Sequence, residues 1–150
     1  MAKFGLPKSH WQKLLDVARI EAAITQAERH TSGEVRVSIA PWFWGNVSRA
    51  ADKAFVRLGM AQTEQRNGIL FFIVPARRTF VVRGDEGIHQ KVGQQFWDDI
   101  ARALSEHFAR NEFTEGLVQA ITEVGKQLGT HFPHQGTRDI DELPNRVDLI

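Results

Sequence analysis

Two short runs of the chain gather the side chains that could do chemistry. Asp85 and Glu86 lie between Gly84 and Gly87, Arg66 and Asn67 precede Gly68, and Ile88 and His89 follow Gly87. Glycine-flanked backbone bends tightly, and hard divalent cations such as calcium or magnesium collect several oxygen ligands from loops of that kind. Two carboxylates, an amide carbonyl from Asn67 and the base of His89 therefore outline a ligand-binding acidic rim. There Arg66 would steer a phosphate monoester toward an ion that activates water. The same residues also fit a solvated turn in which Arg66 pairs with Asp85 at the surface. The second run is Trp42-Phe43-Trp44, with Arg77-Arg78 further along. Consecutive rings cannot all point inward, so at least one is expected to lie partly exposed, as suits a partner surface, a self-association patch or a membrane interface. The plainer reading packs two rings beneath the following helix and lays the third on the surface. Arg77 and Arg78 could face an anionic headgroup or peptide, or simply keep a sheet edge soluble.

The remaining candidates are weaker, and no metal centre is assigned from them. His107 falls on an apolar helical stripe, where a hydrogen-bonded boundary histidine is the expectation. His131 and His134 flank Phe132-Pro133, and the proline prevents a regular helical face for two ligands. Thr31, Ser32 and Ser38 have no implied His-acid partner, and nothing matches a nucleophile elbow, a phosphate-cradling glycine loop or a dinucleotide fingerprint. Gly125-Lys126-Gln127 lies in a helical pattern without the upstream glycine of a P-loop. The absence of cysteine excludes thiol catalysis, zinc ribbons and disulfide scaffolds together. With 19 Lys+Arg against 18 Asp+Glu the net charge is +1, too small a field for nonspecific polyanion binding, so nucleic acid is not expected. No apolar run approaches the ~18 residues of a membrane span, and the polar start Met1 to Lys8 lacks a signal-peptide core, so a soluble cytoplasmic protein is expected.

The elements that must position the two runs follow from periodicity. Val17, Ile20, Ile24 and Ala27 recur at helical spacing between Asp16 and His30, with Thr31-Ser32-Gly33 as a stop. A phase-shifted stripe at Trp11, Leu14, Leu15 and Ala18 leaves Ser9 to Leu15 as either a separate turn or an extension of that helix. Glu34 to Ala40 alternates strictly, the pattern of a half-covered strand, and Pro41 ends it. Ser48 is the expected N-cap of a helix bearing Ala51, Ala54, Phe55 and Leu58, stopped by Gly59. Ile69 to Val74 is continuously apolar and reads as a central strand covered on both faces. Pro75 to Arg78 turns the chain into a third strand, Thr79 to Arg83. Two long helices follow, with Phe96, Ile100, Leu104 and Phe108 on one apolar face and Leu117, Ile121, Val124 and Leu128 on the other. Strand, helix, strand implies a parallel pair, and the tight turn makes the third strand antiparallel. The aromatic and acidic runs then fall at opposite rims of the sheet.

Arg66-Asn67-Gly68 leading into Ile69 to Val74, the two-arginine turn, a strand ending at Gly84, and Phe113-Thr114-Glu115-Gly116-Leu117 stand in an order that resembles the TPM domain over roughly residues 16–132. That family includes thylakoid-lumen proteins of photosystem repair and bacterial proteins of unassigned role. The resemblance implies a compact α/β/α sandwich, and associates the chain with acid phosphatase activity, divalent metal binding and maintenance of membrane complexes. Where many members carry Asp-Asn-Gly this chain has Arg66-Asn67-Gly68, a cation in place of a potential ligand. A Gly-aromatic-Gly turn is replaced by Gly84-Asp85-Glu86-Gly87, which adds two carboxylates. Gly84 to His89 and Asp141-Glu142-Leu143-Pro144 are similar to a cytosolic-looking bacterial branch.

The expectation is an α/β domain over residues 1–132, built as a three-layer α/β/α sandwich with a small mixed sheet and about four main helices, and an irregular tail over 133–150. Its function is expected to be that of a noncatalytic interaction or accessory module for a protein or membrane complex, binding through Trp42, Phe43, Trp44, Arg77 and Arg78. The alternative is a weak acid phosphatase assisted by calcium or magnesium, using Arg66, Asn67, Asp85, Glu86 and His89. The expected location is the bacterial cytoplasm, peripheral to the inner membrane.

Overall fold

The computed structural model describes residues 15–134 and 146–150. The order is α1 (Val17–Glu28), β1 (Glu34–Ile39), α2 (Val47–Arg57), a 3-10 turn (Met60–Gln62), β2 (Gly68–Val74), a second 3-10 turn (Pro75–Arg77), β3 (Thr79–Gly84), α3 (Glu86–Ala109), α4 (Phe113–His131) and β4 (Asp148–Leu149). The Ser9 to Leu15 alternative, apart from Leu15 itself, and the Asp141 to Pro144 motif lie outside the described residues.

The sheet runs β3-β2-β1-β4, with β1 parallel to β2 and β2 antiparallel to β3. Register pairs Val35 with Ile69, Val37 with Phe71 and Ile39 with Ile73, and side chains alternate along each strand. One face therefore carries those six apolar residues, while Leu70, Phe72 and Val74 point to the other. The first face packs against Ile20 and Ile24 of α1, Ile100, Leu104 and Phe108 of α3, and Leu117, Ile121, Val124 and Leu128 of α4. The second is covered by Val47, Ala51 and Ala54 of α2 and by Met60. These are the three layers expected. Phe108 ties the first layer together: its ring meets Phe80 at 5.2 Å and Phe113 at 4.8 Å, both edge-on, so β3, α3 and α4 share one aromatic contact.

Local chemistry sets the helix ends. The Asp16 side chain caps α1 by accepting from the Arg19 amide. In α2 the cap is Asn46 rather than Ser48, because Asn46 holds the extended conformation a cap needs and accepts from Arg49 N at 2.9 Å. Ser48 Oγ instead accepts from Arg83 Nη2 at 2.6 Å. Helix α3 is broken at Gly93, where φ is 78° and ψ 173°, so it is two helical segments end to end.

The C-terminal end departs from the irregular tail expected. Asp148 and Leu149 pair in parallel with Ser38 and Ile39 and complete the sheet as its fourth strand. This also corrects the half-covered reading of β1, which is buried at all six residues. Arg36 Nη2 donates to Arg146 O at 3.4 Å, and Ser38 Oγ donates to Asp148 Oδ2 at 2.8 Å. The alternation in β1 is real, but Arg36 and Ser38 meet Arg146 and Asp148 rather than water.

Candidate functional site

At the acidic rim the residues assemble into a clasp between the β2 entry and the start of α3. Asp85 is not in a loop between glycines, as the sequence suggested. It is the N-cap of α3, and Glu86 and Gly87 already belong to the first turn. Its carboxylate is gripped by the Arg66 fork, Nε to Oδ2 at 2.5 Å and Nη2 to Oδ1 at 2.8 Å, and Oδ1 also accepts from Glu86 N at 2.9 Å. The hydrogen bond to Asp85 raises the Arg66 guanidinium above its ordinary value. Glu86 is exposed and lies at the edge of the same fork, 3.3 Å from Nη1.

The backbone closes the clasp. Arg66 has φ of 53°, and its carbonyl accepts from Gly87 N at 2.8 Å and Ile88 N at 3.3 Å. His89 N returns to Asp85 O at 3.0 Å. The four leading amides of α3, which in an open helix end would await water or an anion, are therefore all satisfied within the chain. Gly87 is required sterically, since a Cβ there would overlap the carbonyl oxygens of Gln65 and Arg66.

Asn67 and His89 do not join the carboxylates. The Asn67 amide is buried and donates from Nδ2 to Ser32 Oγ at 3.3 Å, beside Gln65 Nε2 at 2.9 Å from the same oxygen. His89 Nδ1 accepts from Trp97 Nε1 at 3.0 Å. A divalent cation does not fit this donor set, because Asp85 has no oxygen left unengaged and a guanidinium stands where the ion would have to sit. Among the described residues no group of three or more His, Asp or Glu side chains is placed to hold a metal ion. His107 is a boundary histidine, its Nδ1 2.9 Å from Glu112 Oε1 and its Nε2 3.2 Å from Gln119 Oε1.

The aromatic rim is built at the opposite end of the sheet, after β1 and β2. Trp42 is half-buried against the main core, and Phe43 is half-buried on the α2 side, edge-on to Phe72 with ring centres 6.4 Å apart. Trp44 is 58% exposed. Arg77 holds the loop in place by donating from Nη1 to Gly45 O at 2.8 Å and Phe43 O at 3.3 Å, and its guanidinium carbon lies 5.8 Å over the Trp44 ring. Arg78, in the left-handed region at φ 48°, donates from Nε to Asn111 Oδ1 at 2.9 Å and points away from the tryptophan loop.

Sequence reasoning missed two features here. A cleft of about 150 Å³ opens beside Phe43 and Asn46, lined by Arg49, Ala50 and Lys53 of α2. The signal was legible: Arg49 and Lys53 are four residues apart on a helix face whose other flank is apolar. The second is the seat of Asp148, where Ser38 and Arg57 converge with Arg36 behind them. Burial pushes the Asp148 carboxyl up, but hydrogen bonds from Arg57 and Ser38 and the charges of Arg57 and Arg36 outweigh it and hold the group below its ordinary value. An open groove between α1 and α4, about 870 Å³, has a floor of Ala23, Ala27 and Gly125. Its cations Arg19 and Lys126 are paired with Glu115 and Glu123, which leaves it little chemistry.

Among curated proteins none matches the chain. The BA42 protein of the psychrophilic bacterium Bizionia argentinensis has a similar solution structure, with TM-score 0.81 and 36% identity over 91% of this chain and 95% of its own. The fold also recurs in the N-terminal domain of a protein from P. gingivalis, with TM-score 0.65 and 20% identity over 81% of this chain and 82% of that one. The N-terminal domain of cg2496 from Corynebacterium glutamicum gives TM-score 0.60 and 15% identity over 82% and 74%. The family model described as the TPM domain matches residues 13–127, a span holding both rims, and the chain belongs to the TPM domain family.

Proposed function

We propose that this TPM domain is a noncatalytic interaction or accessory module that binds a protein or membrane-associated complex through its aromatic rim. The observation that carries the reading is the contrast between the rims. At the acidic rim Arg66 and Asp85 are committed to closing α3 onto β2, while Asn67 and His89 turn to Ser32 and Trp97 instead of the carboxylates. At the aromatic rim a large ring is held out in solvent by an arginine that spends its donors on the loop backbone. Among the described residues Arg77, over the Trp44 ring, and Arg49 and Lys53, beside Phe43, make no ion pair, so the aromatic rim carries unpaired cations. Exposed tryptophan with unpaired cations suits an acidic protein surface or an anionic membrane face. No helix among the described residues is long and apolar enough to cross a membrane, and we place the module in the bacterial cytoplasm, peripheral to the inner membrane.

The test is quantitative capture by immobilised wild-type chain beside Trp44→Ser and Arg77→Ala, from bacterial extract and from vesicles containing phosphatidylglycerol. A partner retained by wild type and released by both variants, at unchanged helix content, supports the reading. Identical retention by all three chains removes it. The matching family model carries the label phosphatase, so hydrolysis of phosphate monoesters is the second reading. It predicts turnover with magnesium, manganese or calcium that falls in Asp85→Ala and Glu86→Ala.

A further inference from the structure

The edge of β1 away from β2 is occupied by the chain's own residues 146–150. Strand β4 contributes only Asp148 and Leu149 to the sheet, with Ile150 N donating to Ile39 O at 2.9 Å. Apolar burial in the segment is confined to Val147, which packs half-buried against the main core, while Leu149 is 52% and Ile150 63% exposed. The segment is also held by the ladder, by Val147 N donating to Glu21 Oε2 at 2.8 Å, and by the carboxylate of Asp148. That carboxylate accepts from Ser38 Oγ at 2.8 Å and from Arg57 Nη2 at 2.8 Å and Nη1 at 3.3 Å.

Two of the receiving groups are buried more deeply than the segment, while Arg57 closes over Asp148 from a half-exposed position. Ser38 is fully buried and Arg36 is 8% exposed, and Arg36 Nε has no hydrogen-bond partner among the described residues. If the segment leaves, a buried hydroxyl and a buried guanidinium lose their acceptors while the β1 edge exposes its backbone groups. An opened site of that kind selects a ligand with two features together, an extended backbone to pair with β1 and a carboxylate two guanidinium groups can share.

We propose that the β1 edge, with Arg36, Ser38 and Arg57, binds an extended carboxylate-bearing peptide segment of a partner protein, and that residues 146–150 fill the site in cis. The site uses none of the aromatic rim and does not depend on the function proposed above. A partner strand competes with the resident one, so its apparent affinity is the intrinsic affinity reduced by the fraction of molecules with β4 undocked.

The experiment titrates a fluorescent peptide of sequence Asn-Arg-Val-Asp-Leu-Ile with the full chain, followed by anisotropy. Asp148→Asn removes the resident charge, and Ile150→Pro removes the ladder bond while leaving the carboxylate in place. Asp148→Asn is expected to bind the peptide about tenfold or more tightly than wild type, since hydrogen bonds to charged groups are worth about that factor or more, and Ile150→Pro, which loses a neutral backbone bond, about two- to tenfold more tightly. Ser38→Ala or Arg57→Ala added to Asp148→Asn should abolish the gain, and a peptide with Asn for Asp should bind about tenfold more weakly. Equal peptide affinity in wild type and both variants overturns the proposal, as does indifference to the peptide carboxylate. Hydrogen exchange on wild type gives a reading without substitutions. The Ile150 amide should exchange much faster than that of Phe71, and equal protection of the two would mean that β4 leaves only on global unfolding, which also overturns it.

Discussion

Replacing Asp85 with Ala separates a structural clasp from a ligand site, and the size of the effect follows from its contacts. The carboxylate caps α3 through Glu86 N and receives the Arg66 fork. Loss of an N-cap costs about 0.5–2 kcal/mol. Arg66 is partly exposed, so water screens the pair and it adds in the same direction without dominating. Taking about 1–2 kcal/mol for the cap, and about 2–4 °C per kcal/mol for a domain of this size, Asp85→Ala should lower Tm by roughly 2–8 °C. Asp85→Asn retains a capping oxygen and should recover most of that loss, while Glu86→Ala, whose side chain is exposed, should stay within about 0.5 kcal/mol of wild type. Calorimetry without added metal, repeated with calcium or magnesium, makes the measurement. The reasoning is refuted if Asp85→Ala melts with wild type in the absence of metal and only the wild type is stabilised by the ion, because Asp85 would then serve a ligand rather than the helix.

The other predictions test neighbouring parts of the argument. Gly87→Ala forces a methyl group into the carbonyls of Gln65 and Arg66 and should destabilise by about 1–3 kcal/mol, measured by urea unfolding at constant m-value. Phe108→Ala empties the contact shared by β3, α3 and α4 and should cost about 3–5 kcal/mol, with the folded fraction at 37 °C as the readout. Asp148 has a lowered folded value, so its contribution is fully present above the ordinary aspartate value of about 3.8 and is lost as pH falls through the folded one. The Leu149 and Ile150 amide signals should therefore keep their docked positions at neutral pH and move toward random-coil positions only in strong acid. Movement already near pH 6 would contradict the assignment. Trp44→Ser should leave stability within about 0.5 kcal/mol of wild type, because the ring supports little of the core.

What the sequence conveyed was whatever is written in local period and punctuation. The β1 alternation, the apolar run of β2 and the two-arginine turn fixed three strands and their directions, and with them the separation of the rims. The exposure of one ring in Trp42-Phe43-Trp44 followed from alternation alone. The role of Asp85 was half-legible. Its pairing with Arg66 was foreseen as the plain alternative, but glycines on both sides suggested a loop, when Gly87 is there to let a carbonyl approach the first turn of a helix. Strand β4 was out of reach, because two residues carry no period and their partners lie 110 positions away. The side chains that complete it, Arg36 and Ser38, looked like the uncovered side of a half-covered strand for the same reason.

The break at Gly93 has a further consequence for how α3 is held. The segment before it takes its direction from the Arg66 and Asp85 clasp, and the segment after it from the Phe108 contact. An unbroken helix would make those two anchorages share one axis, so that a displacement at either would be levered along its whole length to the other. With the backbone ladder interrupted, the two segments are joined across the break by the hydrogen bond from Trp97 Nε1 to His89 Nδ1, so a side-chain contact rather than the helical ladder carries strain between them.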